Sequence, residues 1–583
     1  MLFTIFALYI LCRTTSCTLY SEMKGVDVLS PEVFDGKTSE GDWLVIFYRK
    51  SCGHCINYSK VFLEFSVSAR NWKWALHLGS VDCEDEQNTA LCIRFGIDSV
   101  PSLVFLFTTD GKQSWEEVSA NKNASLLRLN VASKLLNVSS LRLPREESVN
   151  EPLTVTSNNS DINTLIILDY SLPLRRQITG AIKNEATDIV VTSSLSNLII
   201  ARGTEEEVRK VLDKMSNTLP GLQENAESEL SKSTPVPGKY LPVYGVDIYR
   251  SLSMLLQLDV GARDAIEGSS LAALKEFLQM LYELLPASQE YKDYLTKISA
   301  WLNSKTSTTG REWTEFLKQI EFPIYKGPFI GCNGSKPHYR GYPCGLWTLF
   351  HALTVEQYLL ASSSPDPPMD SVSHALNRFV PRFFSCSYCA FHFALNTANI
   401  VRPGESILPE NRARPHPDEF FFDESIIPTL PKAPVTSRDS VLWLSIIHNR
   451  VNKRLAGQLS EDPTAPKIQF PPVSLCPNCW APDSKGQLEL GKTPPTEEAL
   501  LQFLVQRYRA SSWDYEQLPT VFITNAVELK TEQPVSDLMI ISIISVVLTI
   551  LAAIILLFGL RYICRGHRFY RGRRVQHTSG QTV

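Results

Sequence analysis

Ten of the 13 cysteines in this 583-residue chain fall into five close pairs, and that pattern constrains the fold more than any other feature. The pairs are Cys52/Cys55, Cys83/Cys92, Cys332/Cys344, Cys386/Cys389 and Cys476/Cys479. Short separations make local disulfides the simplest assignment, and an even number fits an oxidising compartment. Three pairs have the Cys-x-x-Cys spacing, which closes a ring that exchanges with thiols more often than it staples a fold. No cysteine lies between Cys92 and Cys332, so that stretch does no thiol chemistry. Cys386, Cys389, Cys476 and Cys479, with His392, could instead ligate zinc, but zinc ribbons bring their halves within about 15–20 residues. The gap here is far longer, and no metal is expected.

The chain ends agree with that compartment. Leu2 to Cys12 is largely apolar and is followed by Thr14, Thr15, Ser16 and Cys17, so residues 1–18 read as a signal peptide. Leu538 to Leu560 carries no charged side chain and is long enough to cross a bilayer as a helix. Arg561, Arg565, Arg568, Arg571, Arg573 and Arg574 follow it, which makes 561–583 a cytosolic tail. Everything before the span then faces the lumen or the exterior, as in a single-pass protein of the Golgi or cell surface. Cys564, just past the span, is a candidate for S-palmitoylation. Glycosylation triplets stand at Asn57, Asn123, Asn137, Asn158 and Asn333, with Asn57 expected to be poorly accessible. A net charge of -4 argues against a nucleic-acid partner. Hydrophobic residues make up 44%, enough for several cores.

Asp42 to Tyr48 is a continuous apolar run that predicts a buried strand, followed by Ser51-Cys52-Gly53-His54-Cys55 and a helix through Phe65. A second strand ends at Val81-Asp82-Cys83. The block from Phe95-Gly96-Ile97 to Val100-Pro101 leads into a third strand, Leu103 to Phe107. Together these motifs resemble a thioredoxin fold of the protein-disulfide-isomerase type over 25–142, which implies a cis Pro101 against the active pair. Residues 150–237 read as a cysteine-free, second thioredoxin-like domain and linker, with apolar runs at Thr164–Leu168 and Ile189–Val191. From Leu241 onward the pattern turns helical. Ser269 to Leu285 is amphipathic, within a helical spacer over 238–320.

Trp347 and His351 are four apart and share a helix face, as do His448 and Asn452. Such a face is more often core than cofactor site when taken alone. With Cys386-Ser387-Tyr388-Cys389 between them, these blocks resemble the Erv/ALR flavin domain, a helical bundle, over 321–510. A linker over 511–537 and the span over 538–560 follow. The whole order resembles the animal-type quiescin sulfhydryl oxidase family. That resemblance implies FAD as cofactor, held by Arg340, Trp347, His351, Tyr388, His392, Ser445, His448, Asn449, Val451, Asn452, Lys467 and Phe470. Tyr388 stands where an acidic residue is common and Phe470 where an indole is usual. Cys83/Cys92 and Cys332/Cys344 are read as structural disulfides, and Cys476/Cys479 as structural or catalytic, leaning to structural.

The expected chemistry is a relay. Substrate protein thiols reduce Cys52/Cys55, helped by the helix dipole and by His54. The pair then reduces Cys386/Cys389, FAD follows, and oxygen leaves as hydrogen peroxide. Cys386 is expected to be the exposed, interchanging sulfur and Cys389 the shielded sulfur beside the flavin. The alternative is a membrane-bound disulfide isomerase with no oxidase activity.

Overall fold

The computed structural model describes residues 19–138 and 242–523, together with three short strands between 165 and 201. Gaps fall at 22, 40, 70–75, 110–111, 364–371, 410–411, 413–422, 482–489, 492–493 and 495. The signal segment, the span over 538–560, the tail with Cys564, and Asn158 lie outside the described residues. Among the described residues no helix is long and apolar enough to cross a membrane.

The first part is a five-stranded sheet made of β1 (Val26–Val28), β2 (Asp42–Tyr48), β3 (Leu76–Asp82), β4 (Ser102–Thr109) and β5 (Lys112–Val118). Its order is β1-β3-β2-β4-β5. β2 pairs parallel with β3 and antiparallel with β4. All seven residues of β2 are buried, which is why Trp43 to Tyr48 form a continuous apolar run rather than an alternating one. Four helices, α1 (Pro31–Thr38), α2 (Gly53–Ser68), α3 (Thr89–Arg94) and α4 (Ala124–Val138), accompany the sheet. The Val100–Pro101 bond is cis, as the resemblance implied. In the stretch read as a second thioredoxin-like domain, β6 (Leu165–Leu168), β7 (Val190–Val191) and β8 (Leu198–Ala201) form a sheet ordered β6-β8-β7.

The rest is helical. In order come α5 (Gly245–Met254), a π-helical turn over Leu255–Val260, α6 (Gly268–Leu284), α7 (Gln289–Asn303) and α8 (Gly310–Gln319). Then follow α9 (Gly341–Ser363), α10 (Val372–Phe383), α11 (Ser387–Asn396), α12 (Ser437–Leu455) and α13 (Glu497–Tyr508). The stretch read as a spacer packs directly on the flavin-domain helices: α9 lies on α5 as well as on α12, and α10 on α6. A Cβ at Gly345 would stand 2.0 Å from Ser251 Oγ, so glycine is what lets α9 approach α5. Phe277 and Phe379 stack across α6 and α10 at 3.9 Å, both fully buried. Burial of each contributes roughly 1.5–3 kcal/mol.

The sheet and these helices up to Leu518 belong to one compact unit. Ala287–Gln289 and the residues from Pro519 onward form a second, in which Ser288 donates a hydrogen bond to the Val521 carbonyl.

Four of the five expected disulfides are closed: Cys83–Cys92, Cys332–Cys344, Cys386–Cys389 and Cys476–Cys479. Cys52 and Cys55 are free thiols, which corrects the expectation of a fifth bond. An exchanging pair has two stable states, and here it is the dithiol.

Candidate active site

Both exchanging pairs begin a helix. Cys52 is the N-cap of α2, and its sulfur accepts the Cys55 N–H at 3.3 Å. Cys386 is the N-cap of α11, and its sulfur accepts the Cys389 N–H at the same distance. A sulfur in that position meets amides that the first helical turn leaves unpaired.

The two pairs meet. Cys386 lies in the same buried cluster as Cys52 and Cys55, with Phe384, Tyr388 and Cys389 packed against it. Val100 N–H, just ahead of the cis-proline, donates to the Ser385 carbonyl at 2.9 Å. His54 stacks on Tyr388 with centroids 4.2 Å apart and planes 13° from parallel. The middle residues of the two motifs thus touch face to face. Asn57 donates to Gln458 Oε1 at 2.7 Å and accepts the Ser460 N–H. Its amide is committed to this contact, so a glycan there is incompatible with the docked arrangement. Asn333 is exposed.

Cys52 and Cys386 are 6% and 3% exposed, and Cys55 is fully buried. Cys389 is half-buried. At the second centre the first sulfur is thus the more covered one in the docked arrangement, as befits the sulfur expected to meet Cys52. The docked thioredoxin sheet covers Cys386, and Cys389 packs against the same cluster while staying half-buried.

Burial pushes the Cys55 thiol well up, and its hydrogen bond and charge coupling to Cys52 add to that. Burial also raises Asp82 to about 7, with Glu84 contributing. His54 is lowered to about 3 by burial, then by Lys122 and Arg454. It is therefore neutral in this arrangement.

Behind Cys389 the helices form a cradle. Trp347 and His448 stack at 4.1 Å, 7° from parallel, joining α9 to α12. His351 Nε2 lies 3.1 Å from His448 Nδ1, and His351 stacks on Tyr508 of α13 at 4.7 Å. Burial lowers His351 to about 3 and His448 well below its ordinary value, so the pair is neutral and shares one proton between facing nitrogens. His351 Nδ1 is buried without a hydrogen-bond partner. His392 is also lowered to about 3, first by burial, and its ring meets Tyr388 edge-on at 4.5 Å.

Asn449 fixes the facing loop: it donates to the Phe470 carbonyl at 2.7 Å and accepts the Phe470 N–H at 2.9 Å. Ser445 and Asn452 are buried on α12, and Val451 is half-buried. Burial and the nearby Arg340 lower the Lys467 ammonium. The carboxylates of Glu461 and Asp462 act on it in the opposite direction. Arg340 takes the left-handed conformation, φ +62°, at the turn into α9. Asp247 holds that turn by accepting the Ile330 and Cys332 N–H groups. The flat aromatic faces and the unpartnered imidazole nitrogen together fit a planar ring.

Two family models match the chain, "Thioredoxin" over residues 25–131 and "Flavin adenine dinucleotide (FAD)-dependent sulfhydryl oxidase" over 240–335. Sulfhydryl oxidase 1 of Rattus norvegicus is 28% identical over 503 residues, 78% of this chain and 62% of the relative. Sulfhydryl oxidase 2 of Homo sapiens is 27% identical, covering 76% and 66% respectively. The chain is thus similar to sulfhydryl oxidases over most of its length and carries both matched domains in the same order. It spans about three fifths of the length of the first curated relatives, 62% for the rat protein. A solved sulfhydryl oxidase fragment of human QSOX1 aligns with 47% of this chain and 98% of its own, at 29% identity and a TM-score of 0.37.

The second family match falls mostly on the stretch read as a spacer, which packs on α9 and α10 as described. Sequence reading of the chain missed Tyr508, Phe503 and Arg507 on α13. Phe503 meets Phe470 at 5.7 Å, and Arg507 lies over both Phe470 and Tyr508. Nothing but helical spacing marks these residues in the sequence. Of the two departures from the family pattern, Phe470 still offers a ring. Tyr388 is enclosed by His54, Lys122 and Arg454. Cys476 and Cys479 are buried, and the adjacent Trp480 donates to the Pro471 carbonyl, which makes them a staple for the Phe470 loop.

Proposed function

We propose that this chain is an FAD-dependent sulfhydryl oxidase that makes disulfides in reduced proteins. Electrons pass from substrate thiols through Cys52/Cys55 and Cys386/Cys389 to FAD, and oxygen is reduced to hydrogen peroxide. The observation that carries the reading is the seating of a free Cys52/Cys55 dithiol on a closed Cys386–Cys389 disulfide in one buried cluster.

The exchange runs in two balanced steps. Cys52, as thiolate, attacks Cys386 Sγ; a Cys52–Cys386 bond forms, and Cys389 leaves as thiolate. Cys55 then loses its proton and attacks Cys52 Sγ, so that Cys52–Cys55 closes and Cys386 leaves. Two electrons and two protons have moved. Asp82, whose charge Cys55 feels, is poised near neutrality to take the Cys55 proton. Trp347, His448 and Phe470 would cover the flavin ring, with Tyr388 and His392 near Cys389. His351 Nδ1, Ser445, Asn449, Val451 and Asn452 would line it, and Arg340 and Lys467 would hold the phosphates. Bound there, FAD supplies a two-electron acceptor that oxygen reoxidises.

The apolar stretch over 538–560 anchors the enzyme by one span, with the redox domains in the lumen of the secretory pathway or outside the cell. The full chain purified in detergent should be yellow and release one peroxide per disulfide formed in a reduced protein. A folded, colourless protein that added FAD does not restore would contradict this function.

A further inference from the structure

One buried carboxylate holds both redox centres. Asp259 lies in the π-helical turn after α5 and is fully buried. Its Oδ1 forms an ion pair with Arg49 and also accepts the Ser385 hydroxyl at 2.5 Å. Its Oδ2 accepts the Tyr342 hydroxyl at the start of α9. Arg49 comes from the thioredoxin sheet, three residues before Cys52, and its other nitrogen donates to the Leu258 carbonyl at 2.9 Å. Ser385 immediately precedes Cys386. A single oxygen therefore ties together the segment bearing the attacking sulfur and the segment bearing the attacked one. A second crossing lies beside it: Arg263 bonds the Asp259 carbonyl on its own side and the Asp98 carbonyl on the thioredoxin side. Arg412 holds the Pro381 and Phe384 carbonyls from the remaining side.

We propose that Arg49 and Asp259 form a docking latch that sets the register of Cys52 on Cys386. Tyr342 and Ser385 keep the carboxylate aimed when the thioredoxin domain is away, and Arg49 completes the set only when that domain is seated. Both are positioning residues, since they touch neither substrate nor cofactor. This inference rests on the relay proposed above. A buried pair adds little net stability when both charges are removed together, whereas removal of one partner strands the other. The latch therefore makes a prediction that simple packing does not: the single variant is worse than the double.

The test uses the full chain carrying Cys55→Ser, reduced at Cys52 and quenched with acid, with the Cys52–Cys386 bond counted by mass spectrometry. Arg49→Met should slow its formation by about tenfold or more, because a stranded buried carboxylate disfavours docking. Cys52 alkylation by iodoacetamide in the chain with Cys55 intact should speed up by about tenfold, because Cys52 is covered only while docked, whereas Cys55 stays unreactive. The double variant Arg49→Met/Asp259→Asn should recover part of the trapping rate. Arg49→Lys, which keeps the charge, should fall between, and it is the variant to read if Arg49→Met does not fold. Trapping at the parent rate in Arg49→Met, or a double variant slower than both singles, overturns the latch. A Cys55→Ser parent that traps no Cys52–Cys386 bond instead defeats the relay itself.

Discussion

The two Cys-x-x-Cys centres share a local geometry and differ in everything around it. Each opens a helix with its first sulfur accepting the amide of its second cysteine at 3.3 Å. At the first centre the second thiol is fully buried and pushed well up, and Asp82, itself raised, stands within electrostatic reach. At the second centre the first sulfur is the more covered, and Cys389 is half-buried on the edge of the same cluster. Position within the motif therefore does not decide which sulfur faces outward. The neighbour docked on it does, and in the proposed relay the first pair would act as a proton-coupled exchanger and the second as a port to the cofactor.

The largest effects should come from the second centre. Cys386→Ser and Cys389→Ser should each lower oxygen consumption by about three orders of magnitude or more, with protein and small dithiol substrates alike, because members of one unit fail together. The two variants should still differ in colour. Cys386→Ser leaves Cys389 unpaired beside the flavin and should show long-wavelength absorbance without any reductant, and Cys389→Ser should not. The reverse pattern would exchange the roles of the two sulfurs.

A smaller and selective effect belongs to the first centre. Cys52→Ser should cut oxidation of a reduced protein by about a hundredfold and that of dithiothreitol by less than about tenfold, since the small thiol reaches Cys386–Cys389 directly. Equal losses on both substrates would mean that the centres do not act in series.

The smallest expected effects are on stability, and they run in opposite directions. His54, His351 and His392 are held at about 3 against 6.5 in the open. The unfolded chain binds more protons in that interval, so their contribution is present above pH 6.5 and is lost as pH falls toward 3. Asp82 is raised from 3.8 to about 7, so its contribution is full below 3.8 and is lost as pH rises through 7. In urea titrations of the FAD-free protein, His54→Asn should flatten the acid loss by up to about 1.4 kcal/mol per pH unit, and Asp82→Asn should flatten the opposing loss toward neutrality. Unchanged slopes would show that these groups titrate as if exposed.

Strand β2, the helix after Cys52 and the cis-proline were legible because each has a local cause: an unbroken apolar run, an N-cap and a Val-Pro dipeptide. β5 was not, since Lys112–Val118 carries charges along an edge and shows no apolar run. The cradle on α9 and α12 could be read from four-residue spacing, but its third wall on α13 could not, because Tyr508 joins it only through tertiary packing. Docking was the least legible feature. Arg49 and Asp259 are 210 residues apart, and nothing in either neighbourhood announces the other. The burial of Cys386 follows from that docking.

The most direct test of the relay is the identity of the trapped bond. In the full chain with Cys55→Ser, reduced Cys52 should attack the closed Cys386–Cys389 pair and stall, and peptide mapping after an acid quench should find Cys52 joined to Cys386. Cys52 joined to Cys389, or to cysteines of other chains alone, would contradict the account.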